Sequence, residues 1–158
     1  MSVVRPRLIR SSAMFDHLLI ICAGNLCRSP LAEVMMRDRL ARSGKAVEVR
    51  SAGLIAAVDD PADEMIRLVA AGHGLDLSAH RSRPIDPELM RWADLVLVME
   101  GDHRRHLLQL APSSAGKVYL LGHWGGIEIP DPYRQGREVC EAVYHQIATA
   151  VELWLLRL

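Results

Sequence analysis

The sequence predicts a single α/β domain, a four-stranded parallel sheet with helices on both faces. Three observations lead there. Short, nearly continuous apolar runs recur along the chain, of the length and character that a parallel sheet buries on both sides. Stretches with helical apolar spacing separate them, so strand and helix alternate, the order that right-handed crossovers build. The 158 residues, 50% hydrophobic and 24% charged, suffice for one core that needs no metal or disulfide to hold it.

Residues 1–14 carry no core pattern: Arg5, Arg7 and Arg10 precede the first acidic residue, Asp16, and Pro6 interrupts any helix. They lack the apolar stretch of a secretory signal. A mobile extension is expected there, with Met14 an alternative initiator and the domain occupying residues 15–158. Residues 17–23 (HLLIICA) read as the first strand. Gly24-Asn25 turns the chain into a helix over about residues 29–41, with Leu31, Val34, Met35 and Leu40 on one side and Ser43-Gly44 at its end. Residues 47–51 form the second strand, halted at Ala52-Gly53. Pro61 followed by Asp63-Glu64 suits a helix start, with Met65, Leu68 and Val69 as its stripe and Gly72 and Gly74 closing it. Residues 93–99 (ADLVLVM) are the third strand. A short helix over 103–110 stops at Pro112, with His103, Arg104, Arg105 and His106 on one exposed face. Residues 117–121 (KVYLL) are the fourth strand. A loop rich in Gly and Pro leads to a last helix, along which Val139, Val143, Ile147, Val151 and Trp154 keep a helical spacing.

Charge and cysteine usage exclude several functions. Nineteen Lys and Arg balance nineteen Asp and Glu, so no bulk positive field points to nucleic acid or an anionic membrane. No apolar run approaches the roughly 20 residues that span a bilayer. Three cysteines, two of them five apart, make neither the disulfide framework of a secreted domain nor a paired zinc motif. A cytoplasmic location is expected.

The stretch Cys22-Ala23-Gly24-Asn25-Leu26-Cys27-Arg28-Ser29-Pro30 carries the chemistry. It joins the first strand to the first helix, and in open α/β sheets ligands bind beyond the carboxyl ends of strands. A turn leading into a helix start presents a ring of backbone N–H groups that holds an anion. Arg28 adds a planar charged fork suited to two phosphate oxygens. Cys22 faces the same anion, and the N–H ring, the helix dipole and Arg28 all favour a thiolate there. Ser29 is placed to donate to the sulfur, and Asn25 to tie down the turn. A lone cysteine at a strand end is usually a small buried hydrophobe, but that does not account for the whole string at this junction. A thiolate attacking phosphorus also needs a proton donor for the leaving oxygen. Asp131, 109 positions downstream and flanked by Pro130 and Pro132, is the candidate, and the adjacent Tyr133 suits stacking on an aromatic substrate.

These residues resemble the low-molecular-weight protein tyrosine phosphatases, whose phosphate loop is Cys-x5-Arg-Ser and whose general acid lies in a late Asp-Pro loop. The resemblance runs from about Phe15 to the end of the chain. It includes SAG at 51–53, DLVLVME at 94–100, GHW at 122–124 and IPDPYR at 129–134, the last two as in bacterial enzymes of exopolysaccharide and capsule operons. It implies the fold already derived, Cys22 as nucleophile and Arg28 as phosphate clamp. Ser29 is implied to stabilise the thiolate, and Asp131 to act as acid and then base. Ala23, Gly24, Asn25, Leu26 and Cys27 complete the loop. Cys27 resembles a second loop cysteine that in some relatives forms a reversible disulfide with the nucleophile. Leu54, after a short loop at Gly53, is expected with Trp124 and Tyr133 around the substrate cleft, although Trp124 suits core packing or anchoring of the acid loop equally well.

The resemblance further implies a monomer that needs no cofactor or metal. Its implied substrate is a phosphotyrosine protein, with the tyrosine-rich tail of a membrane-associated autokinase as the natural partner. Three other readings compete. A protein-arginine phosphatase resembles this chain except for a threonine where Leu26 stands. An arsenate reductase needs a resolving cysteine, and only Cys140, in the last predicted helix, is available. A phosphopeptide-binding module needs neither Cys22 nor Asp131. His80, Arg81 and Arg83 either bring positive charge to the cleft or form a solvated turn before Pro84.

Overall fold

Strand β1 (His17–Cys22) sits in the interior of a four-stranded, all-parallel sheet, between β2 (Glu48–Gly53) and β3 (Leu95–Val98), with β4 (Val118–Leu120) outside β3. The computed structural model describes residues 15–158, so the expectations for the extension and for Met14 lie outside the described residues. The registers place Cys22 opposite Gly53 and Ile21 opposite Val98. The nucleophile candidate thus stands at the carboxyl edge of an interior strand.

Alternation of side chains along β1 divides the core in two. Leu18, Ile20 and Cys22 face a layer made by α1 (Arg28–Arg42), α2 (Glu64–Gly72) and α5 (Arg137–Leu155). Leu19 and Ile21 face the other layer, made by α3 (Pro87–Trp92) and α4 (Gly101–Leu110). Both faces are covered, which is why the strand reads as an unbroken apolar run. No helix among the described residues is long and apolar enough to cross a membrane.

The structure departs from the expected elements at four places. Helix α3 has only six residues, too few to show a period; its signal is the cap, with the Asp86 carboxylate accepting from the Leu89 N–H at 2.7 Å and Pro87 in the first turn. Helix α4 begins at Gly101, and His103 is buried at 8% exposure instead of sharing an exposed face, because its Nδ1 accepts from the Glu100 N–H in a reciprocal capping box. On α2 the inward face is Ile66, Val69 and Ala70, which leaves Leu68 exposed. On α5 the inward face runs through Cys140, Val143, Tyr144 and Ile147, which turns Val139 outward. Between β4 and α5, a Cβ on Gly122 would meet the Ile127 carbonyl oxygen at 2.2 Å, so only glycine lets this loop fold back on itself.

The cap on α3 gives a direct test. Asp86→Ala should cost about 1 kcal/mol, or about 2–4 °C of melting temperature by calorimetry. An unchanged melting temperature would remove the cap from the account of this helix.

Candidate active site

After Cys22 the backbone curls through five residues and enters α1 at Arg28. Asn25 sets the curl. It is fully buried and holds a left-handed φ of 56°, a conformation Asn tolerates better than most residues. Its side-chain amide and its carbonyl oxygen are all bonded. The side-chain amide donates to Ser29 Oγ at 2.8 Å and to Ser51 Oγ at 3.0 Å, and Oδ1 accepts from the Arg83 N–H at 3.0 Å. Its own carbonyl oxygen lies 2.7 Å from His80 Nε2. On the β2 side the loop runs so close that a Cβ on Gly53 would stand 2.7 Å from the Ala23 carbonyl oxygen and 3.0 Å from the Asn25 nitrogen.

These bonds reach the sulfur. Ser29 Oγ lies 3.0 Å from Cys22 Sγ. Because that hydroxyl accepts from Asn25, its own proton is available for the sulfur. Cys22, Leu26, Cys27, Arg28, Asp131 and Tyr133, with Ala23 and Gly24, line one cavity of about 250 Å³. The structure therefore brings together residues 109 positions apart in the chain. All three cysteines are free thiols. Burial pushes the Cys27 thiol far above its ordinary value, and the charge of Asp63 adds to the effect. Burial raises the Cys140 thiol as well, in α5, where it contacts the Pro132 carbonyl oxygen outside this cavity.

Arg28 is 2% exposed, and its Nη1 donates to Glu100 Oε2 at 2.5 Å and to the Ile129 carbonyl oxygen at 2.8 Å. A buried guanidinium needs such a partner. Glu100 stands at the carboxyl end of β3, and the same carboxylate oxygen lies 3.5 Å from His103 Nε2. Burial, and then the charge of Arg28, lower the His103 pKa below its ordinary 6.5. Asp131 is exposed, and its Oδ1 accepts from the Tyr133 N–H at 3.0 Å. The acid loop is anchored on either side of Asp131: the Ile129 N–H donates to the Met99 carbonyl at 2.9 Å, and the buried Pro132 packs near Cys140.

Two expected cleft residues are not among those lining the cavity. Leu54 packs on the α3 and α4 side of the sheet, although its N–H bonds the Cys22 carbonyl at 3.1 Å. Trp124 joins a ring cluster with His123 and Trp154 and carries the Arg157 guanidinium 3.7 Å above it. The 80–83 segment meets the back of the phosphate loop through His80 and the Arg83 backbone, while the Arg83 side chain pairs with Asp86. Sequence reasoning did not assign Glu100 or Ser51 a place beside the loop, and for His80 it left open a place near the cleft or in a solvated turn. The signal for Glu100 was its position at a strand's carboxyl end.

A sequence profile described as low molecular weight phosphotyrosine protein phosphatase matches residues 17–158. The chain belongs to that family. Low molecular weight protein-tyrosine-phosphatase Wzb of Escherichia coli K12 is 44% identical over 142 residues, 89% of this chain and 94% of that protein. Among solved structures, the Erwinia amylovora tyrosine phosphatase AmsI superposes with a TM-score of 0.87 at 38% identity, over 92% of this chain and 95% of that one. Vibrio vulnificus Wzb in complex with benzylphosphonate gives 0.86 at 38% identity, over 91% and 99%. The YwlE arginine phosphatase of Geobacillus stearothermophilus is more distant, 28% identical with a TM-score of 0.80 over 87% and 88%.

His103 makes acid stability a test of the Arg28 surroundings. Its folded pKa lies below its unfolded one, so on acidification the unfolded chain takes up the proton first. The neutral ring's contribution is complete above pH 6.5 and is lost as pH falls through the lower, folded value. In urea titrations wild type should therefore lose more stability between neutral pH and pH 5 than His103→Gln does. Equal slopes would mean that His103 titrates the same way in both states.

Proposed function

We propose that this member of the family hydrolyses phosphotyrosine in proteins through a cysteinyl-phosphate intermediate. One observation carries the assignment of residues: Cys22, Arg28 and Asp131 meet in a single cavity with the phosphate loop. In the first step Cys22 Sγ attacks phosphorus and the phosphorus–oxygen ester bond breaks. The leaving phenolate takes the Asp131 proton. In the second step water attacks the phosphocysteine while the Asp131 carboxylate accepts its proton, and inorganic phosphate leaves with the thiolate restored. Arg28 and the loop N–H groups are aimed where the transferring oxygens gather charge, so this step calls for no metal ion. The bonds to Glu100 and Ile129 run through Nη1, so the other N–H groups of the Arg28 fork can take phosphate oxygens.

Leu26 and Tyr133 offer the cavity an apolar wall and an aromatic ring, which favours an aryl ester over a guanidinium-linked phosphate. The benzylphosphonate held by the Vibrio relative has that aryl character. Similarity to Wzb and AmsI supports a phosphotyrosine protein of the tyrosine-autokinase kind as substrate; the enzyme is proposed to meet it on the cytoplasmic side as a monomer. Cys140 is buried in α5, a poor place for the resolving thiol of an arsenate reductase.

Turnover of phosphotyrosine, phosphoserine and phosphoarginine peptides should favour phosphotyrosine strongly, persist in chelator and vanish in Cys22→Ser. Asp131→Ala should slow turnover by about 10² to 10⁴, most for poor leaving groups. A preference for phosphoarginine, or activity surviving in Cys22→Ser, would overturn the reading.

Cys27 carries a second test. Peroxide oxidises the Cys22 thiolate to a sulfenic acid; attack by Cys27 on that sulfur expels water and leaves a disulfide, which dithiothreitol reverses. Wild type should recover after reduction, and Cys27→Ser should stay inactive through over-oxidation. Equal recovery with no linkage by mass spectrometry would make Cys27 a packing residue.

A further inference from the structure

Outside the cavity, the end of α2 and one face of α5 bring together two imidazoles and a carboxylate. His73 caps α2, and Glu141 and His145 lie at i and i+4 on α5, so both project from the same face of that helix. His73 Nε2 is 2.9 Å and His145 Nε2 3.9 Å from the same oxygen, Glu141 Oε2, and all three candidate donor atoms lie within 4.8 Å of one another. Zinc bonds of about 2.0–2.2 Å in a tetrahedron hold neighbouring donors roughly 3.3 Å apart, so the two separations from Glu141 straddle what a cation would impose. The site is also partly organised. His73 lies flat on the Tyr144 ring, with centroids 3.8 Å apart and 9° between planes. The hydrogen bond from His73 holds the Glu141 carboxyl below its ordinary range. His145, at 68% side-chain exposure, stands edge-on to the His73 ring, with centroids 5.5 Å apart.

We infer that His73, Glu141 and His145 form a binding site for a divalent transition-metal cation of the zinc class, with water completing the coordination. Two nitrogens and one carboxylate suit zinc, cobalt or nickel; magnesium and calcium prefer all-oxygen shells. None of the three residues lines the cavity around Cys22, so the ion takes no part in phosphoryl transfer. Its effect is mechanical, pinning α2 to α5. Asp63, whose carboxylate caps α2, donates its N–H to the Leu26 carbonyl in the phosphate loop at 2.9 Å, and Cys140, next to Glu141, contacts Pro132 in the acid loop. The cation would therefore brace two helices that support the two halves of the cavity.

Cobalt(II) titration of the reduced full-length chain tests this with a readout independent of phosphatase activity. The expected result is one ion per chain, visible d–d bands and no thiolate-to-metal charge-transfer absorption, with affinity at least tenfold weaker in His73→Asn and in His145→Ala. Zinc at a hundred times its wild-type dissociation constant should raise the wild-type melting temperature by about 5–10 °C and that of His145→Ala by no more than about half as much. His145 is exposed, so that variant folds whatever becomes of the ion. Failure to bind at millimolar cobalt, equal affinity in wild type and variants, or charge-transfer bands placing the ion on Cys22 and Cys27 would each overturn the proposal.

Discussion

The buried side chain of Asn25 is the constraint on which the rest of the cavity depends. A loop that turns N–H groups toward an anion must leave its other polar groups pointing away, and a buried polar group without a partner costs about 1–3 kcal/mol. Asn25 resolves this by adopting a left-handed backbone and bonding Ser29, Ser51, Arg83 and His80 from one position. Those partners come from α1, from β2 and from the segment before α3, so the loop's shape is held by three separate parts of the fold. Ser29 then passes the arrangement on to the Cys22 sulfur. Gly53 completes it, since any side chain there would push into the loop backbone.

A second, weaker constraint governs Arg28. Its guanidinium is buried, so Glu100 and the Ile129 carbonyl hold it in place, and His103 in turn holds Glu100 at the start of α4. The phosphate clamp therefore rests on the end of β3 and on the acid loop. This couples the two halves of the cavity: Ile129, whose carbonyl meets Arg28, lies two residues before Asp131. Through that carbonyl the position of the acid loop bears on the guanidinium.

Much of this was legible in the sequence because the relevant signals are local. The strands announced themselves through unbroken apolar runs, a consequence of burial on both faces, and the loop through a string of residue types that only an anion-binding turn requires. Partnerships that depend on crossovers were not legible. Glu100 reaches Arg28 from 72 positions away, and nothing in either residue's neighbourhood announces the other. His103 read as part of a charged helical face because three polar neighbours surround it; its burial follows from a capping box with Glu100 that composition does not reveal. Leu54 and Trp124 sit in segments that resemble relatives around the cleft, yet resemblance does not tell which side of the backbone a side chain takes. Leu54 turned toward α3 and α4, and Trp124 was drawn into the stack with Trp154 and Arg157.

The most direct test of Asn25 as organiser is the turnover number of Asn25→Ala on an aryl phosphate, measured beside its far-ultraviolet circular dichroism. Misplacement of a reacting group by about 1 Å costs on the order of 10²-fold in rate. The account predicts a fall of that size with the secondary structure retained. A turnover number within about twofold of wild type would show that the loop keeps its shape without Asn25, contradicting the account at its centre.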